Sequence, residues 1–471
     1  MSDYKRQHPL MIVGAFIGQL KSLLLPAAVL FAIQLQGDGG TILPMVLVAS
    51  AFLGLSFVFS LVKWWFYRYK YEHSVLIIRS GIFIKHHRTI KQERVQTTNT
   101  HAGLFLRLFG LVKLTIETAG SKGEAEFELE ALREEEARAI MARLSGEDHS
   151  HTSEAQQSTS PLTQLTFRTL MLAGLTSGGV GVIFSILAVI WSQIFSIVPQ
   201  LGERLVDSVI GMSIVIIVFM LVVLILLSWV ISTVRFMIRY AFFTIERVDD
   251  ELRIEHGLIA RKRFTVKIHR IQALSVVEGI LRQPFDLATI ELTTAGASGY
   301  DDAFKVIALP IVRKDKIHTF LSEFLPEYAV SFTLDGLVKR AQRRYIFRAS
   351  AIFLAVLPLW FITPHLYWLF ALWPVSLILG IMRHKDGGLY TDATTLVYRF
   401  RFLARTTAIV HKKHIQSMEF HQNPLQRLRR FAHTSVSVMA APSSVQFSLK
   451  DIDMKQYETL YTWFSYKYIL Q

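Results

Sequence analysis

One short polar motif recurs three times along the chain and carries side chains that could bind a charged or polar partner. Its positions are Arg94 and Gln96, Arg270 and Gln272, and His414 and Gln416. A guanidinium can make forked contacts with a carboxylate, a carbonyl group or a lipid phosphate. On an alternating strand the two polar side chains would share one face, and the apolar residue between them would point into the core. Ordinary sheet amphipathicity explains the pattern equally well, so a binding surface and a plain exposed face both remain open.

A basic cluster, Arg261, Lys262 and Arg263, lies shortly before the second copy of the motif. Each cation at a membrane surface gains about 1 kcal/mol beside anionic lipid, so the cluster could contact lipid phosphates. Alternatively, positive charge next to a membrane segment only sets its topology, and the sequence favours neither explanation. Nucleic acid is not an expected partner, because the cations flank apolar segments and are not interleaved with aromatic residues.

The sequence has no pattern typical of an enzyme or a metal site. It contains no Gly-x-Ser-x-Gly, His-Glu-x-x-His or P-loop motif. It contains no cysteine, and therefore no thiol nucleophile and no cysteine-ligated metal. His149 and His151 fall in a polar stretch whose composition indicates a solvated linker. We therefore expect no catalytic residue, no cofactor and no metal.

Composition indicates a membrane protein. Of 471 residues, 51% are hydrophobic and only 19% are charged, whereas soluble domains carry about 25% charged residues. Six apolar runs suit a hydrocarbon core of about 30 Å. They lie at about 20–35, 42–66, 170–198, 209–234, 346–362 and 366–382.

The runs form three predicted hairpins separated by long polar regions. The short loops inside the hairpins contain a single cation, Arg204, whereas the opposite ends are rich in Lys and Arg. This asymmetry predicts that both termini and all large polar regions lie in the cytoplasm. The small-residue stretch 174–181 is explained better by close helix packing than by a substrate path.

The polar regions repeat with offsets of 176 and 144 residues, which relate Arg94 to Arg270 and Arg270 to His414. The first two copies match over about forty residues. The third copy is more degenerate and has Arg401 where a glycine is expected. Each copy contains segments that alternate with period two and ends in a segment with helical apolar spacing.

This combination resembles the bacterial pleckstrin-homology-like (bPH2, DUF304) membrane proteins of the YdbS/YdbT type. The residues that carry the resemblance are Gly81, Arg94-Val95-Gln96 and Thr118-Ala119-Gly120, with Gly257, Arg270-Ile271-Gln272 and Thr294-Ala295-Gly296, and more weakly His414-Ile415-Gln416. The resemblance implies PH-like folds in the cytoplasm, a bacterial inner-membrane location and no established enzymatic activity. It also suggests a link to envelope stress or antimicrobial-peptide tolerance.

The expected architecture is a threefold repeat of membrane α-helical hairpins and all-β PH-like sandwiches, each sandwich closed by a C-terminal helix. The predicted segments are hairpin 1 at 1–66, PH-like domain 1 at 67–146, a linker at 147–166, hairpin 2 at 167–235, PH-like domain 2 at 236–328, hairpin 3 at 329–382 and PH-like domain 3 at 383–471.

The expected function is that of a non-enzymatic scaffold or interaction protein at the inner membrane. Its expected partners are the bilayer, anionic headgroups, and another protein or a second copy of the chain. The alternative is a transport or lipid-handling protein with a path between the hairpins. A lipid-sized cavity between the hairpins would favour that alternative.

Overall fold

The computed structural model describes residues 4–14, 16, 42–72, 75–81, 84–118, 127–145, 162–179, 181, 184–185, 214–295, 305–360, 373–440 and 443–465. The whole apolar run at 20–35 and parts of four others lie outside these residues, as do His149 and His151. The side chains of Arg94 and Gln96 are also outside the described part.

The strands of the first domain have apolar residues at every second position. Leu76 and Ile78 are buried on one face of a strand because successive side chains point to opposite faces. The elements are β1 (Lys5–Arg6), α1 (Ile42–Phe66), β2 (Arg68–Glu72), β3 (Val75–Ser80), β4 (His86–Lys91), β5 (Val95–Ala102), α2 (Leu104–Leu108), β6 (Leu111–Thr118), β7 (Phe127–Arg133) and α3 (Glu134–Ser145). Helix α3 buries Ala137, Ile140 and Leu144 at helical spacing.

The second domain repeats this order. Its elements are β8 (Leu162–Gln164), α4 (Phe167–Leu175), α5 (Ile214–Tyr240), β9 (Thr244–Val248), β10 (Glu251–His256), β11 (Arg261–Lys267), β12 (Ile271–Glu278), β13 (Leu287–Thr294), β14 (Lys305–Arg313) and α6 (Ile317–Phe324). Helix α6 buries Phe320, Leu321 and Phe324 against the sheet.

The third domain has the same order again. Its elements are β15 (Asp335–Gly336), α7 (Gln342–Trp360), α8 (Trp373–Asp386), β16 (Gly388–Thr391), β17 (Thr395–Arg401), β18 (Arg405–His411), β19 (Ile415–His421), α9 (Pro424–Leu428), β20 (Phe431–Ala440), β21 (Ser443–Asp453) and α10 (Met454–Ser465). The degenerate third copy therefore has the same succession of strands as the first two.

The repeat offsets hold at the level of the backbone. A 3₁₀ turn precedes β5, β12 and β19, at Gln92–Arg94, Ile268–Arg270 and Lys412–His414. Each turn is followed by a register shift one residue into the strand, after Val95, Ile271 and Ile415. The prediction that Arg94, Arg270 and His414 occupy equivalent places is confirmed.

The described residues form four sheets, and two of these cross from one domain into the next. The strand order of one seven-stranded sheet is β7-β6-β5-β11-β10-β9-β8, and that of the other is β14-β13-β12-β18-β17-β16-β15. A four-stranded sheet, β1-β2-β3-β4, and a three-stranded sheet, β19-β20-β21, form the two ends. The three domains therefore share backbone hydrogen bonds at β5–β11 and at β12–β18.

A short strand precedes each helical pair, and it pairs with the first strand that follows the same helical pair. Lys5 pairs with Tyr69, Leu162 with Glu246 and Asp335 with Leu389. These strands are not among the elements predicted from the sequence, which places residues 162–164 in the linker. They have no alternation long enough to recognise, since each spans only two or three residues.

The helices next to the domains are longer than predicted and closely packed. Helix α5 continues to Tyr240 and α8 to Asp386, beyond the predicted hairpin ends. Within the described residues, one helical segment, Val222–Tyr240, is long and apolar enough to cross a membrane. A side chain at Gly174 would lie 3.1 Å from the backbone oxygen of Thr233, which fits the close packing expected of the small-residue stretch.

The second and third domains also share a hydrophobic core. Val397 and Ile409 of the third domain are buried in the same cluster as Ile271 and Leu274 of the second. The main core of the first domain contains only residues of that domain. As far as the described residues go, the two junctions therefore differ, since apolar packing continues across the second junction and not across the first.

Candidate functional site

The recurrent polar motif is a turn and not an alternating pair. Arg270 ends a 3₁₀ turn, and Gln272 lies at the register shift of β12. Gln272 is buried, and its Nε2 donates to the Arg270 carbonyl oxygen at 3.2 Å. The expectation that the two side chains share a strand face is wrong, because it required regular strand geometry. The burial expected of the middle residue is confirmed for Val95 and Ile271, whereas Ile415 is only partly buried.

The third copy of the motif lies beside the second domain. Ring centroids of His411 and His414 are 6.3 Å apart, and Lys413 Nζ lies 3.6 Å from a Glu327 carboxylate oxygen. Burial, then the charge of Lys413, lowers the pKa of His414 to about 4. Gln416 is exposed. The histidine is therefore placed at a junction and is held neutral near pH 7.

The side chains of the basic cluster lie on both faces of β11. Arg261 Nε lies 2.7 Å from Glu255 Oε1, and Arg263 Nη2 lies 2.8 Å from Glu255 Oε2. Lys262 points to the other face, since neighbouring side chains alternate, and pairs across the sheet with His101. The three cations do not form one patch, because Glu255 neutralises much of the charge of two of them.

The first interdomain junction is polar. Thr98 lies opposite Thr265 and Thr100 opposite Arg263 along the β5–β11 ladder. Arg107 of α2 donates to the carbonyl oxygen of Leu258 in the second domain. Helix α3 and the β10–β11 pair line a shallow cleft that follows this junction.

An ion pair crosses the second junction. Arg405 Nε donates to Glu278 Oε1 at 2.8 Å, and Lys314 Nζ lies 2.8 Å from Glu278 Oε2. Burial alone would raise the pKa of Glu278, but the hydrogen bonds from Arg405 and Lys314 outweigh it and lower the pKa. The carboxylate is therefore ionised at neutral pH and links a cation of each domain.

Arg401 explains the departure of the third copy from the glycine pattern. Gly81 and Gly257 have φ of +105° and +118°, and a Cβ there would meet the carbonyl oxygen three residues ahead. Arg401 has no such φ; it is buried, pairs with Asp386 and donates to Gln283 Oε1 of the second domain at 2.7 Å. The substitution that suggested degeneracy supplies a contact between domains.

Tyr328, at the end of the second domain, also packs at the second junction. Its ring lies 4.5 Å from that of His411, and its hydroxyl donates to the Ile271 carbonyl oxygen at 2.8 Å. The tyrosine is almost fully buried, which raises its pKa. Nothing in the motif pattern indicated this residue.

Comparison with known proteins agrees with the repeat geometry. A family model described as Bacterial PH domain matches residues 16–148, 169–327 and 333–468. The chain belongs to the bacterial PH domain family. It is 30% identical over 496 aligned positions, covering 99% of each chain, to the UPF0699 transmembrane protein YdbT of Bacillus subtilis (strain 168). The resemblance drawn from the repeats is confirmed, and the chain is a YdbT-like membrane protein with three bacterial PH repeats.

In this bacterial PH protein, the second and third domains contact their own helices through equivalent loop positions. Arg282 of the second domain is buried and donates to the Pro310 carbonyl oxygen at 2.9 Å and to that of Ala173 in α4 at 3.3 Å. At the corresponding place in the third domain, Gln426 donates to Asp451 at 2.9 Å, and Asp451 pairs with cations of α7. The helices are thus fixed to the domains by buried polar contacts.

A rim of exposed apolar side chains lies at the ends of the domains nearest the helices. The β10–β11 turn touches α5, where Leu258 N donates to the Ile238 carbonyl oxygen at 2.9 Å. The β17–β18 turn touches α8 through Arg383 and the Phe402 carbonyl oxygen, 3.0 Å apart. Exposed members of this rim are Ile84, Leu104, Leu108, Phe109, Leu258, Ile259, Ile280, Leu281, Phe285, Phe402, Leu403, Leu425 and Leu428. Large apolar surfaces of this kind mark membrane or protein contacts.

Proposed function

We propose that this protein is a non-enzymatic scaffold of the bacterial cytoplasmic membrane, in which three PH-like domains form one rigid platform. The observation that carries the proposal is the sharing of sheets between domains at β5–β11 and β12–β18. Separately tethered binding modules would not need a continuous backbone ladder. A platform that holds partners at fixed spacing does need one.

The proposal includes six membrane spans with both termini in the cytoplasm. The pairing of Lys5 with Tyr69, and of the equivalent strands in the other domains, supports it, because both ends of each helical pair then meet in one sheet. Reporter fusions after Gly146 and at the C-terminus should report cytoplasm, and an insertion at Gly39 should report the outside. A periplasmic signal after Gly146 would overturn the topology.

The proposal also places the apolar rim in the headgroup layer, where cations can meet lipid phosphate. Arg261 supports this, since it lies directly after the rim turn that holds Leu258 and Ile259, and its side chain is half exposed despite Glu255. Cations above an apolar surface are typical of interfacial segments. The rim would press the platform against the bilayer. A role in envelope stress or antimicrobial-peptide tolerance completes the proposal and is supported by the family resemblance.

The experiment is purification of the intact protein in mild detergent, with co-purifying proteins and lipids both identified. A scaffold should retain a protein partner in fixed ratio. The double variant Glu278→Gln with Arg401→Ala should lose that partner by loosening the second junction. The control Arg313→Ala removes an exposed cation whose ion pair is with Asp315 of the same domain, and it should keep the partner. A partner that survives the double variant would contradict the platform.

One observation favours lipid handling as a second candidate function. An open, mostly apolar pocket lies where α4 and α5 meet the second domain, and its lining includes Phe167, Leu170, Met237, Phe242 and Arg261. An acyl chain could rest on the aromatic rings with its phosphate near the guanidinium. Retention of one lipid class in fixed ratio, without any protein, would favour this candidate, and Phe242→Ser should then reduce the lipid.

A further inference from the structure

The two junctions pair their strands in one and the same register. Thr97 lies opposite Val266 at the first junction. The repeat offsets of 176 and 144 residues carry these positions to Ala273 and Val410, which also lie opposite each other. The chain therefore builds the same edge-to-edge interface twice.

Each end of the chain carries one half of a third such interface. Strand β4 is the repeat equivalent of β11 and β18, and within the described residues it pairs only with β3. Strand β19 is the equivalent of β5 and β12, and in the same part of the chain it pairs only with β20. The two unpaired edges are complementary and not identical.

Positions that the junctions bury are exposed at the ends. Ser275 is fully buried at the second junction, whereas its equivalent in β19, Glu419, is exposed. Thr265 is buried at the first junction, whereas its equivalent in β4, Thr89, is exposed. Unpaired strand edges are ready templates for another strand.

We propose that β19 of one copy pairs antiparallel with β4 of a second copy, so that the sheet continues from chain to chain. The register of the two internal junctions then places Glu419 opposite Arg88. It also places Ser417 opposite Ile90, and Gln422 opposite Lys85. This inference goes beyond the scaffold proposal and does not depend on it.

Charge on the two edges fits this pairing. Strand β4 and the turn before it are basic, with Lys85, Arg88 and Lys91, whereas β19 carries Glu419. Helix α10 adds Glu458 at the place that Arg138 has in α3, where the helix lines the cleft along the first junction. The carboxylates of Glu419 and Glu458 would then meet cations of the β4 edge, whereas two β4 edges facing each other would repel.

The membrane allows this assembly. In the proposed topology the two internal junctions join domains whose helical pairs span one bilayer, so a third junction of the same kind is compatible with a second copy in that bilayer. Such a contact joins different surfaces of two identical chains and produces arcs or rings. Charged residues on an edge strand can instead serve to prevent pairing, and the experiment separates these two roles.

The absence of cysteine allows disulfide mapping in the full-length protein in native membranes. Glu419→Cys and Arg88→Cys in one chain should give a ladder of crosslinked species, and the off-register combination Glu419→Cys with Thr89→Cys should give none, because neighbouring residues face opposite sides. Met418→Cys with Thr89→Cys tests the adjacent pair, since facing pairs alternate between two hydrogen-bonding geometries. A short bismaleimide replaces oxidation where Cβ separation prevents a disulfide.

Single variants establish the direction of the contact. Co-expressed Glu419→Cys and Arg88→Cys chains should give dimers and no ladder, and either alone should give none. Charge reversal by Glu419→Arg should reduce crosslinking of the Met418→Cys, Thr89→Cys chain, and added Arg88→Glu should restore it. Crosslinking of Glu419→Cys chains to one another, crosslinking only to a different protein, or no product at normal abundance would each overturn the proposal.

Discussion

Glu278 of the second domain holds Arg405 of the third, with Oε1 and Nε 2.8 Å apart across the β12–β18 ladder. Lys314 contacts the other carboxylate oxygen, and Arg405 also reaches Asp386 at the end of α8. Helix α8 and two PH-like domains therefore meet through one network of ion pairs. At the first junction the equivalent positions are Ala102 and Arg261, so this cross-domain ion pair has no counterpart there.

The first prediction concerns this pair. Glu278→Gln should weaken the second junction by about 1.5–3 kcal/mol, the usual worth of hydrogen bonds to a charged group. Hydrogen exchange of β12 and β18 amides should then quicken about tenfold or more, since 1.4 kcal/mol corresponds to a factor of ten. β5 and β11 should not change. The exposed variant Arg313→Ala is the control, and equal effects on both ladders would contradict a local role.

The second prediction concerns pH at the same junction. His414 has its pKa lowered from 6.5 to about 4, by burial first and then by Lys413 and His411, with Glu327 acting in the opposite sense. Between these values the unfolded chain binds more protons than the folded one, so stability falls as pH falls. The melting temperature should therefore decrease between pH 6.5 and pH 4, and His414→Gln should flatten that decrease. The exposed residue His318 provides the control, His318→Gln. An unchanged slope in the His414 variant would contradict the prediction.

The order of the structural elements along the chain could be predicted from sequence because the repeats are collinear. The glycine, motif and helix positions of the first two copies keep fixed offsets, and the backbone keeps them too. Alternation predicts which face of a strand is buried, but it says nothing about which strand lies beside which. The sharing of sheets between domains was missed for that reason.

A signal for the second junction was nevertheless present. Residues 271–276 are all buried, and their run Ile-Gln-Ala-Leu-Ser-Val lacks clean alternation. Such runs are typical of strands that are covered on both faces and paired at both edges. The candidate polar pairs were misjudged for a related reason, since a 3₁₀ turn and a register shift break the period that the prediction assumed. Arg401 could not be interpreted at all without the position of Gln283.

The third prediction concerns the hydrogen bonds by which Arg282 connects the second domain to helix α4. Arg282→Met keeps an elongated side chain but leaves the carbonyl oxygens of Pro310 and Ala173 without this donor. Each unsatisfied buried acceptor costs about 1–3 kcal/mol. We expect a lower melting temperature and lower abundance in the membrane.

Arg282→Lys tests whether geometry or charge matters at this position. A lysine has no forked donors and should rescue only part of the loss. Lys316→Met, which removes an exposed cation of the same domain, is the control and should behave as the parent. Full rescue by lysine would show that charge alone is sufficient.

The last prediction concerns the apolar rim. Leu428 is 82% exposed on α9, at the end of the third domain next to its helices. Ala393 is exposed in the turn between β16 and β17, at the opposite end, because β16 starts at the end of α8 and runs away from it. An environment-sensitive dye on Leu428→Cys should show blue-shifted emission and quenching by lipid-borne nitroxides, whereas the same dye on Ala393→Cys should be quenched only from water. Burying a leucine side chain in the interface stabilises it by about 1.5–3 kcal/mol relative to water, which is enough to hold the rim against the bilayer once several such residues act together. Aqueous quenching of both positions to the same extent would place the rim in solvent and leave it as a surface for a protein.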